Sequence, residues 1–144
     1  MTNENPHMPP RESEGDLRQE IASMLNLFSF NTEVSKPIKG RSGVMHEIDI
    51  IAKKRDGQTR LLIKTKSVDE GTFLRIDEVL SFWAQIFDTT VDRGAIVTTC
   101  KVSDPAAKFA KHHEILLVSG KRKSELRYKI LESEMFQTLI QSQK

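Results

Sequence analysis

Two acids and two lysines recur at strand spacing within one short stretch of this chain. Glu47 and Asp49 lie in HEIDIIA, and Lys64 and Lys66 lie in LLIKTK. Alternate residues of a strand share a face, so each pair points one way from its own strand. By the same alternation Ile48 and Ile50 point away from the acids, and Leu61, Ile63 and Thr65 point away from the lysines. Carboxylates suit a hard cation such as Mg²⁺, which takes oxygen ligands. A lysine beside them stabilises charge on a phosphate or orients an attacking water. If the two strands pair, Asp49 and Lys66 meet two needs of metal-assisted phosphodiester hydrolysis. An exposed hairpin edge with ordinary salt bridges would use the same residues, and spacing alone does not separate the two.

The elements around these residues follow from periodicity. Asp56-Gly57 between two Val/Ile/Leu-rich runs predicts a hairpin, which makes Gly40–Lys66 the centre of the chain. Upstream, Leu17, Ile21, Met24, Leu25 and Phe28 predict a helix starting near Glu14–Asp16. A short strand is expected over Asn31–Lys36, closed by Pro37. Downstream, Ile76, Val79, Leu80, Trp83, Ile86 and Phe87 predict a helix over Ile76–Phe87 with Trp83 as a core anchor. GAIVTT and ILLV read as buried strands, joined by a helix that Ser103 caps and Pro105 enters in its first turn. This β-α-β alternation implies a parallel crossover, and the fold class is α/β. Residues 1–13 read as a polar, Pro-rich disordered leader and 14–120 as the domain. Residues 121–144 read as a helical extension that closes the core or forms a homodimer contact.

Composition excludes several functions. The net charge of +2 from 22 basic and 20 acidic residues is no bulk signal for nucleic acid, so local clusters must carry any such argument. One cysteine, Cys100, cannot form an internal disulfide or a cysteine zinc cage, and it fits a reducing, cytoplasmic setting. No apolar run reaches the roughly 20 residues that span a bilayer, and no apolar signal-peptide core is present, so no membrane partner is expected. A P-loop, a G-x-G-x-x-G and a G-x-S-x-G are all missing, which argues against a nucleotide cofactor and a serine hydrolase elbow. His112 and His113 are adjacent and point about 100° apart on a helix, a poor chelate. The Arg41-Ser42 turn between Gly40 and Gly43 permits close approach to a phosphate, and equally serves any tight connection.

GRSGVMHEIDIIA, LLIKTK, EVLSFWAQIFD, and GAIVTT followed by an Ala-rich helix and ILLVSG together resemble the Mrr-type restriction endonuclease domain. That family lies within the PD-(D/E)XK nuclease superfamily and is akin to archaeal Holliday-junction resolvases. The resemblance runs from Gly15 to about Gly120. It implies a restriction endonuclease-like central mixed β-sheet flanked by α-helices, binding of double-stranded DNA, and backbone cleavage dependent on Mg²⁺ or Mn²⁺. The acid of the first hairpin strand falls on Asp49, the acid-x-Lys pair on Lys64 and Lys66, and the first-helix Glu on Glu20. Position 64 departs from the pattern: it carries Lys where Glu, Asp or Gln is expected. An ammonium offers only donors and repels a cation. Glu47, beside Asp49, or Glu20 is then expected to supply the second carboxylate, with Asp49 and Glu47 as metal ligands.

Three functions follow. The first is a metal-dependent DNA endonuclease using Asp49, Lys66, Glu47 and Glu20. The second is a nuclease fold that binds DNA without cutting it, through Lys64, Lys66, Arg41, Ser42, Lys53, Lys54 and Arg55. The third is a protein-interaction subunit working through the apolar face of the C-terminal extension.

Overall fold

The computed structural model describes residues 14–67 and 72–141. The expected leader therefore lies outside the described residues. A five-stranded sheet of order β1-β2-β3-β5-β7 forms the middle layer. Its strands are β1 (Phe30–Lys39), β2 (Met45–Lys54), β3 (Arg60–Lys66), β5 (Arg93–Thr98) and β7 (Leu116–Ser119). β1, β2 and β3 are antiparallel neighbours, whereas β3, β5 and β7 run parallel, so the sheet is mixed as expected. The two parallel steps are bridged by helices α2 (Ile76–Thr89) and α3 (Asp104–His112). Two short strands, β4 (Phe73–Leu74) and β6 (Lys101–Val102), pair beside these crossovers.

Each sheet face has its own core. Helix α1 (Glu14–Leu27) covers one face and contributes Leu17, Ile21, Met24 and Leu25. The C-terminal segment adds two helices to this layer, α4 (Lys123–Glu132) and α5 (Glu134–Gln141), separated at the extended residue Ser133. Leu126, Ile130, Phe136 and Leu139 are buried in the same cluster as α1, and Phe136 stacks on Phe30 at 6.2 Å. The apolar stripe of the tail is consumed inside the core, which removes it as a working surface or dimer contact. On the opposite face α2 and α3 cover Ile48, Leu62 and Ile96, with Ala106 and Ala110 allowing close approach. Gly94 permits the same closeness for α2: a Cβ there would meet Ile86 Cδ1 at 2.1 Å.

Several local expectations are met. The Asp56-Gly57 turn is an Asx-type turn in which Gln58 N–H donates to Asp56 Oδ1 at 2.8 Å and Gly57 adopts φ +82°. Ser103 caps α3 by accepting from the Ala106 N–H, with Pro105 in the first turn. Others change. β1 continues through Pro37 because it is an edge strand, where a missing N–H costs no ladder bond. Helix α2 does not bury its whole apolar set: Val79 is fully covered, whereas Leu80, Trp83 and Phe87 are 42%, 37% and 65% exposed. Trp83 is therefore not a core anchor. It sits at the surface against Phe87, Phe109 and His113.

Candidate active site

The site is made where β2 and β3 part. Their ladder pairs Ile50 with Ile63 through Lys53 with Arg60 and stops before Asp49. On the other side, β1 pairs regularly except opposite Asp49, where Ser35 takes φ +54°. Strict alternation also fails here. Ile48 and Ile51 join the α2–α3 core, whereas Ile50 and Ala52 join the α1 core. The expected opposition of Glu47 and Asp49 to Ile48 and Ile50 is thus replaced by a local change of face at Asp49. The freed ladder groups are satisfied by the side chain: Asp49 Oδ2 accepts from Thr65 N–H at 2.8 Å. Arg18 of α1 approaches Asp49 Oδ1 at 3.7 Å and donates to Ser35 Oγ at 2.6 Å. The Asp49 carboxylate is fixed from two sides at the mouth of the strand fork.

An open cleft of about 410 Å³ lies between this fork and α2. It is lined by Glu47, Asp49 and Lys64 from the strands and by Asp77, Glu78, Ser81 and Gln85 from the helix. Lys66 is held at the cleft edge by Glu78, with Nζ 2.6 Å from Oε1 and 2.8 Å from Oε2. Glu78 Oε2 also accepts from the Arg75 N–H at 3.1 Å. Partial burial acts to raise the Glu78 pKa. Hydrogen bonds from Lys66 and Arg75, with the charges of Lys66 and Lys64, outweigh it and hold the carboxyl below its ordinary range. Glu78 is thus an anion set between two lysines.

Sequence reasoning missed Glu78 and misplaced several other residues. Glu20 does not line the cleft. Its carboxylate joins α1 to α4 through Lys123 at 2.9 Å and Arg127 at 3.1 Å. Lys54 is 1% exposed; its ammonium donates to the Leu139 carbonyl under α5, so it offers no charge to a DNA surface. Arg55 N–H donates to the Ser29 carbonyl at 3.0 Å and its guanidinium reaches the Asn26 carbonyl, tying the hairpin to the end of α1. Lys53 is exposed, but it and Arg55 lie four and six residues along from Asp49, roughly 13 Å or more at strand rise. One basic edge joining them to Lys64 is not formed.

The Arg41-Ser42 turn is committed to α2. Ser42 N–H and Oγ donate to Asp88 at 3.0 and 2.7 Å, and His46 Nε2 lies 2.7 Å from the same carboxylate. Hydrogen bonds from His46 and Ser42 hold Asp88 down to about 2. Gly40 is required by this approach, since a Cβ would fall 1.9 Å from Asp88 Oδ2. The Arg41 guanidinium lies over the Phe87 ring at 5.0 Å. The backbone donors that a phosphate would use at Ser42 are already taken.

Among the described residues no group of three or more His, Cys, Asp or Glu side chains converges as a metal site. The donor chemistry of the cleft still suits Mg²⁺, which keeps several waters and is commonly held by one or two carboxylates. Asp49 and Glu47 line the cleft from the strand wall, and Glu78 and Asp77 line it from the helix wall. Among the described residues no helix is long and apolar enough to cross a membrane.

Known proteins bear on this geometry in two ways. No curated protein sequence matches the chain. Among solved structures, an AF1548 protein described as of unknown function matches at TM-score 0.68 and 21% identity, covering 85% of this chain and 72% of that one. The modification-dependent restriction endonuclease AspBHI matches at TM-score 0.51 and 13% identity, covering 99% of this chain and 41% of that one. MspJI restriction endonuclease, solved with a 27-mer oligonucleotide, matches at 0.52 and 15%, covering 89% of this chain and 30% of its own. The chain thus spans less than half the length of those two enzymes, and at these identities the likeness is one of fold. The model of the restriction endonuclease family, Mrr catalytic type, matches residues 16–126, a span that contains the strand fork, both lysines and all of α2. With that match over most of its length, the chain belongs to the Mrr-type restriction endonuclease family.

Proposed function

We propose that the protein is a metal-dependent DNA endonuclease whose second metal carboxylate is supplied by Glu78 of α2 in place of the strand acid missing at position 64. The observation that carries this reading is the shared cleft: Asp49 on one wall, Glu78 on the other, and Lys66 hydrogen-bonded to Glu78 at its edge. Asp49 and Glu78 are the residues that would hold Mg²⁺. A bound Mg²⁺ supplies Lewis-acid polarisation of a phosphoryl oxygen and a more acidic water. Thr65 N–H and Arg18 hold the Asp49 carboxylate in place at the mouth of the fork. Lys66 offers its ammonium to the phosphate, and Lys64 offers a second cation on the same face. Glu47 lines the same cleft as a further oxygen donor.

The test is incubation of supercoiled plasmid with the protein and Mg²⁺ or Mn²⁺, beside Asp49→Ala. Metal-dependent nicking that disappears in the variant supports cleavage. A second reading, a DNA-binding domain that does not cut, is favoured by the Lys64 ammonium facing the cleft. It predicts intact plasmid together with binding that weakens steeply as salt rises. Binding indifferent to salt would count against both readings.

A further inference from the structure

We propose that α2 is a homodimer interface, packing antiparallel against α2 of a second copy through Ile76, Leu80, Trp83 and Phe87. These four residues are spaced four, three and four apart, the spacing that lays one continuous seam along a helix. They are 36%, 42%, 37% and 65% exposed, an unusual fate for the large apolar side chains of a helix that also supplies core residues. The helix has three distinct faces. Val79 and Phe82 face the core, Asp77, Glu78, Ser81 and Gln85 face the cleft, and the seam lies on the remaining side. Covering the seam therefore leaves the cleft open.

Charge placement selects the occupant and its direction. Arg41 stands over Phe87 at the C-terminal end of the seam, on the cleft side where the Gly40–Ser42 turn meets Asp88. Asp77 stands at the N-terminal end, also on the cleft side, three-quarters exposed and only loosely joined to Arg75 at 3.7 Å. A two-fold axis perpendicular to antiparallel helices exchanges their ends and preserves that side. Each Arg41 then meets the Asp77 of the other copy, twice per dimer. In a parallel pair Arg41 would instead face the His112–His113 side of its neighbour, where the acids are already engaged, Glu114 by Arg93 at 3.0 Å and Asp92 by the Arg60 N–H at 2.7 Å. The aliphatic half of the seam, Ile76 and Leu80, would likewise cover the aromatic half, Trp83 and Phe87. The same axis leaves both clefts opening to one side of the dimer. This surface stands whether or not the cleft cuts DNA.

Sedimentation of the full chain over a concentration series, without DNA, tests the interface. A dimer is expected. Phe87→Glu and Leu80→Glu should each raise its dissociation constant by about 30-fold or more, the scale of losing one interface anchor. Both positions are exposed, and an unchanged far-UV spectrum and Tm would exclude misfolding. Arg41→Glu and Asp77→Arg should each weaken the dimer, and the two together should restore it. A wild-type monomer at several hundred micromolar, or a dimer indifferent to these changes, would overturn the proposal. So would variants of Trp83 and Phe87 that leave the mass unchanged yet lose single-stranded oligonucleotide binding, since the rings would then be a nucleobase platform.

Discussion

Replacing Glu78 with Gln separates catalysis from grip, because the structure gives this carboxylate two opposing roles. It lines the cleft as an anion, and it holds Lys66 through bonds of 2.6 and 2.8 Å. Gln keeps the length and one acceptor oxygen, so the Arg75 contact and one bond from Lys66 survive, whereas the amide NH2 cannot accept the second Lys66 bond. That exchange costs about 1 kcal/mol, a Tm drop of about 3–5 °C for a chain of this size. The loss of a metal-binding charge should lower cleavage by about 10²–10³-fold, the scale of removing one preorganised electrostatic contact. DNA affinity should move the other way. Lys66 is released from its internal counter-charge, so the dependence of log K on log salt should steepen by about one unit. Nicking rates at saturating Mg²⁺ and fluorescence anisotropy across a salt series provide the two readouts. Undiminished nicking would refute the role given to Glu78. Cleavage, affinity and Tm falling together would show that the carboxylate is only a structural tie.

Other residues make equally direct predictions. Lys64→Glu should weaken DNA binding and make the salt slope shallower by about one phosphate contact, measured by the same anisotropy series. It also removes one of the positive charges that hold the Glu78 pKa down, so that pKa should rise, as read by carboxyl NMR titration. Lys54→Ala should destabilise the fold by about 2–4 kcal/mol in urea unfolding, while Lys54→Met costs less and neither alters the DNA salt slope. Asp88 is held at about 2 against an ordinary 3.8, so it stabilises the fold fully above the ordinary value and loses that contribution as pH falls through about 2. Asp88→Asn should therefore lower Tm near neutrality, with the gap to the wild type closing as the pH of the melts is taken below about 4.

Much of the frame was legible because it rests on local rules. Period-two alternation and the Asp-Gly turn located the hairpin, and the β-α-β order fixed the parallel half of the sheet. The same rules mark Lys54 as an inward lysine, since it shares strand parity with the buried Ile50 and Ala52. Other features depended on tertiary context. Alternation could not foretell the change of face at Asp49, because the break comes from Ser35 on the neighbouring strand and from the end of the β3 ladder. Periodicity identified α2 as a helix, but its apolar residues fall on two adjacent sides, and no single-helix pattern says which side meets the sheet. Glu78 was hidden for the same reason. It lies 12 residues beyond Lys66, on a helix whose apolar positions drew the reading. The available hint was the Asp77-Glu78 pair opening a helix straight after the lysine strand, with Ser81 and Gln85 continuing one polar side.

The position of Glu78 also gives a physical reason why Lys64 can stand where the family pattern has an acid. Strand residues 62, 64 and 66 face the α2 layer, since Leu62 packs in its core and Lys66 bonds to its first turn. A carboxylate at 64 would thus share the cleft with Glu78, and like charges so placed raise each other's pKa. Only one wall needs to supply the second acid. With that acid on the helix, a cation at 64 lowers the Glu78 pKa instead of raising it. On the proposed endonuclease reading, the Lys64 that weakens the strand as a metal site would strengthen the helix as one. If the cleft cuts DNA as proposed, Lys64 and Glu78 compensate one another, and the double variant Lys64→Glu with Glu78→Lys should retain metal-dependent nicking better than either single change.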